Sequence, residues 1–511
     1  MIFAADQDTV ARPSEELVNV WRDLMLVDDL DGGVDRMRWR ALQSDRCWLP
    51  QHQLEENEQY ARRVWLSHLY PGFQQGLDDS ISRPFAKPVQ VANLPDVFET
   101  MVEDIDGDGN DLTQFLAHLM RSAVKHGFAC AWADYTQAKP ANGETVTKAD
   151  EAASNPRAWW SIIERTRLLG WKDKTLRNGK RVLSEVRIHE IRTIPDGIYG
   201  EKRAEFVRVL RLDSYELWQN MAYDPPRPRN LKDLDGRFYD WKEGRDQDFQ
   251  KIEEGAYGPP GGFEALPIVT VYTGYQGFMR AKPPLLALAE TNVTHWQSAS
   301  IQRTSVHFAR EPMMFFRGFN PEELKGMAVG AGGAFASQNP QANVSIVEHS
   351  GAAVATGQDD LDRLENEMQQ LGVRPSVERM QNSTATGIAI NATGADTDVQ
   401  AWAQAVDTAA EQLFNWTAIW MGQPEITADL DVQIYKDYQV AYKGQSDMPV
   451  LQADVQAGRI RPETYLKEAK RRGLLGDDVD IDEEVEAADE RTKAVVESAK
   501  AISADTKDPA D

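Results

Sequence analysis

The sequence predicts an α+β fold in which long helices accompany an antiparallel β region. Across Trp159–Thr273, apolar residues alternate with polar ones or form short β-branched runs, and clusters of Gly, Asp and Pro separate the runs. That pattern is typical of antiparallel strands joined by turns. Outside this region, apolar side chains recur at helical spacing in three long segments, Pro283–Arg310, Asp359–Leu371 and Ala395–Met421. A chain of 511 residues exceeds a single core, so we expect about two to four domains.

Short helices and one buried strand are predicted before the β region. In chain order they are a helix-prone stretch over residues 1–45, an amphipathic helix at Glu55–Leu69, a short helix around Gly76–Ile81, a helix at Leu112–Lys125 and a strand at Phe128–Asp134. Pro71 and Gly72 end the amphipathic helix. Asp111 or Asn110 suits the N-cap of the helix at Leu112–Lys125, and Gly127 suits its C-terminal end.

The segment from Pro283 to Gly422 is predicted to organise the chain. Its first helix begins where Pro283 and Pro284 fix a backbone angle that suits a first helical turn, and it ends before Pro312. The second helix carries one apolar stripe on an otherwise acidic surface. Residues 372–394 are small and polar, and they are predicted to form a loop before the third helix.

The other segments are predicted to be loops, strands and a charged C-terminal region. Their order is an exposed loop over 136–156, a long polar hairpin at Tyr223–Gly262, one or two strands at Asp429–Tyr442, a helix at Arg461–Arg472 and an acidic stretch at Asp477–Asp511. The acidic stretch is predicted to continue as a charged helix from about Glu483 and then to fray.

Charge and cysteine content restrict the function. A net charge of −25 argues against a tight, sequence-independent grip on nucleic acid through a basic face, although DNA that passes without adhering stays compatible. The two cysteines, Cys47 and Cys130, form no disulfide framework, which favours a reducing compartment. The sequence has no basic and apolar leader and no run of about 18 apolar residues, so we expect neither secretion nor a membrane span.

The sharpest local motif is DIDGDGND at Asp104–Asp111. Asp104, Asp106 and Asp108 occupy the first, third and fifth places of a calcium-binding loop. The last ligand place, which should hold a bidentate Glu, holds Phe115 instead. We therefore interpret the motif as a turn and N-cap before a helix. A metal-dependent hydrolase that uses Asp104, Asp106 and Asp108 is the alternative function.

No other motif indicates an active site, a metal or a cofactor. The histidines lack the third or fourth ligand that a zinc site needs, so we predict structural roles for them. The stretch Gly330–Ala334 has no Lys-Ser or Lys-Thr after it and does not match a phosphate-binding loop. The polar residues between the second and third predicted helices have the composition of a solvated loop.

Five blocks of the chain, in order over about Tyr60–Leu475, are informative as a set. They are DIDGDGNDLTQF, AWW…RTRLLGW, ALPIVTVYTG…KPPLLALAETNVTHW, NSTATGIAI and AGRIRPETYLKEAKRRGLL. As an ordered set they make the chain similar to the portal (head-to-tail connector) proteins of tailed bacteriophages. No block is specific by itself.

The resemblance implies a portal fold with wing, stem, clip and crown. In this chain, residues 1–282 resemble the wing, whose β-rich part is 159–273. Residues 283–310 resemble the first stem helix, 311–357 resemble the clip and 358–371 resemble the second stem helix. Residues 372–394 resemble the tunnel loop, 395–445 resemble the long helix and the return to the wing, and 446–511 resemble the crown with an acidic C-terminal tail.

As a function, the resemblance implies a non-enzymatic dodecameric ring at one capsid vertex, through which double-stranded DNA is packaged and ejected. The implied partners are further copies of the chain, the terminase large subunit, major capsid and scaffolding proteins, and head-completion or adaptor proteins. The implied location is the virion, and the host cytoplasm during assembly. A tail or baseplate structural protein is a weaker alternative, because it leaves the helix–loop–helix segment without a role.

Two groups of site residues follow from the same resemblance. The tunnel-loop residues implied to face the DNA channel are Arg379, Gln381, Asn382, Ser383, Thr384 and Thr386. The clip residues implied to dock the terminase are Glu322, Glu323 and Lys325. No metal or cofactor is implied.

Overall fold

The computed structural model describes residues 9–43, 47–136, 157–223, 248–259, 262–310, 313–319, 339–347, 352–372, 385–436 and 448–471, with isolated positions as far as 487. It confirms an α+β architecture of helices and antiparallel sheets. The chain divides into two compact units, Met1–Tyr435 and Lys436–Asp511. Within the described ranges, no helix combines the length and the apolarity needed to span a membrane.

Helices form most of the first unit before its sheets. They are α1 (Glu15–Asp31), α2 (Gly33–Ala41), α3 (Asn57–Leu66), α4 (Gly72–Ser82), α5 (Glu99–Glu103) and α6 (Leu112–His126). The Ser14 hydroxyl caps α1 by accepting a hydrogen bond from Leu17 N–H at 3.3 Å. Asp111 and Gln114 cap α6 reciprocally, and Gly127 ends it with a φ of 86°. The predicted ends of α6 are therefore confirmed.

Two antiparallel sheets dominate the middle of the first unit. The strands are β1 (Gln90–Ala92), β2 (Phe128–Tyr135), β3 (Ala158–Glu164), β4 (Leu168–Thr175), β5 (Arg181–Asp196), β6 (Gly200–Arg211), β7 (Ser214–Asn220), β8 (Phe249–Ala256), β9 (Ile268–Tyr272), β10 (Tyr275–Gly277) and β11 (Arg280–Ala281). One sheet has the order β3-β2-β9 and the other the order β4-β5-β6-β7-β8, and all neighbouring pairs are antiparallel. The predicted β region and the predicted buried strand are confirmed.

The long polar hairpin predicted at Tyr223–Gly262 lies only partly within the described residues. Strand β8 belongs to its second half and pairs antiparallel with β7. Strand β8 has the sequence FQKIEEGA, without strict alternation of polar and apolar residues, and its cross-strand contacts with β7 add a fifth strand to the sheet.

The segment after the sheets folds as a helix, a β-hairpin, a second helix and a very long third helix. These elements are α7 (Leu286–Arg310), β12 (Met313–Arg317), β13 (Asn343–Val347), α8 (Ala352–Leu371) and α9 (Ala385–Trp420). A last strand of this unit, β14 (Asp431–Gln433), pairs with β1.

Two predicted boundaries in this segment are wrong. Helix α8 begins at Ala352 and not at Asp359. Helix α9 begins at Ala385, so residues 385–394 of the predicted loop are helical. The loop prediction relied on small and polar residues, but this stretch also contains several alanines, which favour helix. Once the second half of α9 is packed, adding turns at its N-terminal end costs little free energy, because the first hydrogen-bonded helical turn has already formed.

The core of the first unit joins both sheets to α6 and α9. Trp160 of β3 is fully buried, and its ring centroid lies 4.9 Å from that of Phe414 and 5.7 Å from that of Phe115. The Trp160 indole N–H also donates to Thr417 Oγ1 at 2.9 Å. Because Phe414 and Thr417 belong to α9, this tryptophan fixes the long helix against the three-stranded sheet.

The second unit contains α10 (Met448–Gln456) and α11 (Pro462–Arg471) among its described residues. A turn at Gly458, with a φ of 69°, separates them. Helix α11 confirms the helix predicted at Arg461–Arg472. The predicted loop over 136–156 and the predicted charged helix beyond Glu483 lie almost entirely outside the described residues.

Candidate functional site

Helices α7 and α8 pack side by side in opposite directions. Near the start of α8, the Val354 carbonyl accepts a hydrogen bond from Gln302 Nε2 at 2.6 Å. Further along α8, Glu365 Oε1 contacts His295 Nε2 at 3.2 Å. The later residue of α8 thus meets the earlier residue of α7, which defines an antiparallel pair. At the end of the pair where the chain passes from α7 to α8, strands β12 and β13 form an antiparallel hairpin.

The first half of α7 is anchored in the first unit. Asn292 is 1% exposed, and its side chain accepts from Phe73 N–H and donates to the Tyr70 carbonyl, both at 2.9 Å. One turn later, Gln297 Nε2 donates to the Trp48 carbonyl at 2.7 Å. These hydrogen bonds hold α7 against the chain around α3 and α4. If α7 moved away, the buried Asn292 amide would lose its hydrogen-bond partners and would carry a desolvation cost.

The second half of α7 leaves this core. Trp296 is fully buried, whereas Ile301 is 50% exposed, and Arg303 and His307 are exposed as well. Helix α7 is therefore anchored in the first unit at its start, and it presents a mixed apolar and polar surface towards its end.

Helix α8 carries one apolar stripe and an acidic outer face. Of the predicted stripe Leu361, Leu364, Met368 and Leu371, the first three are buried as the helical spacing predicts, whereas Leu371 at the end of the helix is 39% exposed. On the outer face, Arg363 lies 2.9 Å from Asp360 and 3.6 Å from Glu367. The acidic residues of the helix are Asp359, Asp360, Asp362, Glu365 and Glu367. Because Arg363 already forms ion pairs with Asp360 and Glu367 of the same helix, the outer face of α8 is negatively charged and repels anions.

Each of three buried histidines contacts a carboxylate. The pairs are His126 with Asp28 at 2.8 Å, His189 with Glu205 at 2.8 Å and His295 with Glu365 at 3.2 Å. Burial lowers the pKa of His295, although the Glu365 carboxylate opposes that shift, so the imidazole that joins α7 to α8 is neutral at neutral pH. The structural role of these histidines stays a prediction.

Helix α9 is clamped along its second half. Trp402 and Trp420 donate their indole N–H groups to main-chain carbonyls beside and within the three-stranded sheet, both at 3.0 Å. The buried carboxylate of Asp407 accepts from Ile434 N–H at 2.9 Å.

Most of the predicted site residues lie outside the described part of the chain. They are Arg379, Gln381, Asn382, Ser383 and Thr384 of the predicted tunnel loop, and Glu322, Glu323 and Lys325 of the predicted clip. The main chain of Thr386 is described, and it belongs to the first turn of α9. Their roles stay predictions.

The Asp104 carboxylate accepts hydrogen bonds from its own turn and from Arg157. Asp104 Oδ1 accepts from Gly107 N–H at 2.9 Å and from Gly109 N–H at 3.0 Å, and Asp104 Oδ2 accepts from Arg157 Nη1 at 2.7 Å. The Arg157 hydrogen bond holds the pKa of Asp104 below its usual range. Across the described residues, no group of three or more His, Cys, Asp or Glu side chains could hold a metal ion. The interpretation as a turn and N-cap is confirmed.

The first unit contains a cavity of about 350 Å³ that no sequence pattern indicates. Its lining residues are Val97, Phe98, Thr100, Met101, Tyr135, Arg157, Ala158 and Met421. They come from the region of α5, the end of β2, the start of β3 and the residue after α9. Only the folded chain brings these distant segments together, so no local motif could have revealed the cavity.

A family described as a domain of unknown function (DUF4055) matches residues 284–421, which is less than half of the chain and covers α7, α8 and α9. Among solved structures, the chain is similar to one from the neck of an empty gene transfer agent particle computed with C6 symmetry, with 10% identity, a TM-score of 0.40, and coverage of 79% of this chain and 90% of that chain. It is also similar to one from the virion of a native gene transfer agent particle, with 11% identity, a TM-score of 0.41, and coverage of 83% and 95%. No curated protein matches the chain significantly.

Proposed function

We propose that this chain is a subunit of a portal ring, the head-to-tail connector of a tailed-phage-like particle. The observation that carries the proposal is the antiparallel pair of α7 and α8, with the β12–β13 hairpin at its end and the long helix α9 after it. This is the order of elements that the sequence resemblance implies for stem, clip, stem and wing helix. The proposed role is structural, with no catalytic step.

The length of these helices suits the wall of a channel. Helix α7 has 25 residues and α8 has 20, which correspond to about 37 Å and about 30 Å at the rise of an α-helix. Copies of such a pair, arranged around an axis, would form a tube with a wall one helix pair thick.

The charge of α8 suits a channel through which DNA moves. Each phosphate that a Lys or Arg neutralises adds a counterion-release term to binding and so increases friction. The acidic outer face of α8 and the net charge of −25 would keep such contacts few. Contacts with a moving duplex are then proposed to come from the neutral side chains Gln381, Asn382, Ser383, Thr384 and Thr386, together with the cationic side chain of Arg379.

The partners are proposed from the same arrangement. The segment between α7 and α8, which includes Glu322, Glu323 and Lys325, would dock the terminase large subunit and later the head-completion or adaptor proteins. Capsid and scaffolding proteins would contact the outside of the ring, in the virion and during assembly in the host cytoplasm.

Ring closure provides the most direct solution test of the proposal. Native mass spectrometry of the purified chain, across a series of salt and protein concentrations, should show a closed oligomer with one dominant subunit number near twelve. A closed ring uses two different, complementary flanks of each subunit, so intermediate assemblies should be rare. A chain that stays a single subunit under every condition would contradict the proposal.

A further inference from the structure

Strands β5 and β6 form a two-stranded ribbon that projects past the rest of their sheet. The two strands pair from Glu185 opposite Arg211 to Asp196 opposite Gly200. Strand β4 pairs with β5 only as far as Ile188, and β7 pairs with β6 only from Phe206 onward. The ribbon therefore extends beyond both neighbouring strands by roughly 20 Å at the rise of an antiparallel strand.

The tip of this ribbon exposes two large apolar side chains. Ile198 is 89% exposed and Tyr199 is 98% exposed. The turn needs neither of them, because Gly197, with a φ of 78°, supplies the left-handed conformation that a tight hairpin requires. An adjacent apolar pair at the end of a long projection is typical of a contact surface rather than of a solvated turn.

The tip also carries a free carboxylate. Asp196 lies 3.4 Å from Lys202 across the ribbon. Glu201 is exposed and has no ion-pair or hydrogen-bond partner among the residues that the structure describes. The tip thus combines two apolar side chains with one negative charge that is available to another molecule.

The cavity beside α5 has the complementary chemistry. Its lining is mixed, with the side chains of Met101, Tyr135 and Met421 beside that of Arg157, and its volume of about 350 Å³ is enough to receive an aromatic side chain. Arg157 Nη1 is bound to Asp104, but Arg157 Nη2 is buried and has no acceptor in the described chain. A buried N–H group without an acceptor costs free energy, which a carboxylate from outside would recover.

We propose that the Ile198–Tyr199 tip of one subunit docks into the cavity of the neighbouring subunit, with Glu201 accepting a hydrogen bond from Arg157. The contact is assigned to two copies because the same chain carries both the tip with its carboxylate and the cavity with its guanidinium. Tip and cavity are different surfaces, so the contact is head-to-tail, and it closes a ring when the rotation between neighbouring subunits divides a full turn. This contact depends on the proposed function only in that it requires the chain to form a ring.

The first test removes the apolar tip. The double substitution Ile198→Ser and Tyr199→Ser should leave the fold and the melting temperature unchanged, since both side chains lie in solvent. It should raise the concentration at which half of the chains are assembled by about tenfold or more, because two large apolar side chains no longer become buried. Leu54→Ser is the matched control, since Leu54 is 95% exposed and lies outside the ribbon.

The second test traps the contact. Tyr199→Cys combined with Met421→Cys should give disulfide-linked multimers up to the full ring under mild oxidation, whereas each single variant, and Leu54→Cys with Met421→Cys, should not. Rings that form with full strength in the tip variant and never cross-link would overturn this contact and leave the proposed function intact. Chains that never assemble, with or without the tip, would contradict the proposed function itself.

Discussion

Asp29 is the most completely buried carboxylate in the N-terminal helices, and it holds three segments together. Its side chain has no exposed surface. It accepts from Arg36 Nε at 2.9 Å, from Arg40 Nε at 2.7 Å and from the Trp48 indole N–H at 2.9 Å. These donors come from α2 and from the chain after it, while Asp29 belongs to α1. One carboxylate therefore determines how the first two helices meet.

Replacement of this carboxylate should be strongly destabilising. In Asp29→Asn the two guanidinium groups lose their counter-charge while Arg40 stays largely buried, so we expect a loss of roughly 3 kcal/mol. Thermal unfolding of the purified variant measures this as a lower melting temperature. Asp35→Asn is the control, because Asp35 is 88% exposed beside Arg38 and should lose less than about 1 kcal/mol. Equal melting temperatures for the two variants would contradict the assigned role of Asp29.

Asp134 should make stability depend on pH. Burial raises the pKa of Asp134 to about 6, although the Tyr135 N–H and Arg208 oppose that shift. An unfolded Asp titrates near about 3.9, so the folded chain holds this proton more tightly and loses stability as pH rises between these two values. Asp134→Asn should therefore raise the melting temperature relative to the parent more at about pH 8 than at about pH 5.

An exposed carboxylate provides the comparison for that experiment. Asp108→Asn changes a side chain in the exposed turn before α6, and its melting temperature should differ from the parent by the same amount at both pH values. If the difference in melting temperature between Asp134→Asn and the parent is also the same at both pH values, burial does not destabilise the charged form of the Asp134 carboxyl.

The sequence predicted single residues well where their role is local. The N-cap Asp111 and the terminating Gly127 depend on the few residues around them, and both were correctly predicted. Arg157 was not singled out, because its role depends on Asp104 and on a cavity built from distant segments. Local chemistry is readable from a sequence, whereas a buried N–H without an acceptor is a property of the packed chain.

At the scale of elements, the pair of α7 and α8 combines a firmly packed start with an exposed end. Periodicity was sufficient to predict the existence of both helices and most of the apolar stripe of α8. It was not sufficient to place the start of α9, because residues 385–394 are mostly small or polar and include Gly387 and Gly394, a composition typical of a loop. Strand β8 falls within the segment predicted as a polar hairpin, but its bounds were not predicted, because FQKIEEGA lacks the alternation of a half-buried strand.

The exposed half of α7 should contribute to the contact between subunits. Ile301 is 50% exposed on a helix that is otherwise anchored, and in a ring the neighbouring subunit would cover it. Ile301→Asp should therefore weaken assembly at least about tenfold, because a charge would be buried in an apolar contact. Sedimentation velocity over a concentration series measures the effect.

A second exposed isoleucine controls for the general effect of a surface charge. Ile252 of β8 is 46% exposed and belongs to the sheet rather than to the helix pair. Ile252→Asp should assemble as the parent does. If both variants assemble like the parent, α7 does not lie at a subunit contact.

At the scale of the whole molecule, the proposed channel assigns one role to residues 379–386. Replacing Gln381, Asn382, Ser383 and Thr384 together by Ala removes neutral hydrogen-bonding groups, while the packed second half of α9 is untouched. Ring assembly should persist, and DNA packaging or retention in reconstituted particles should change. Loss of the ring in this variant would show that the segment supports assembly instead of facing the channel.

The central claim is that copies of this chain surround a hole through which a DNA duplex passes. Electron micrographs of the purified protein test it most directly, because end-on views need no assumption about partners. We expect annular particles with a central opening wide enough for a duplex, and side views in which a narrow stalk of helix pairs extends from a broader body. Fields of compact single subunits without a hole, at every salt and protein concentration, would contradict it.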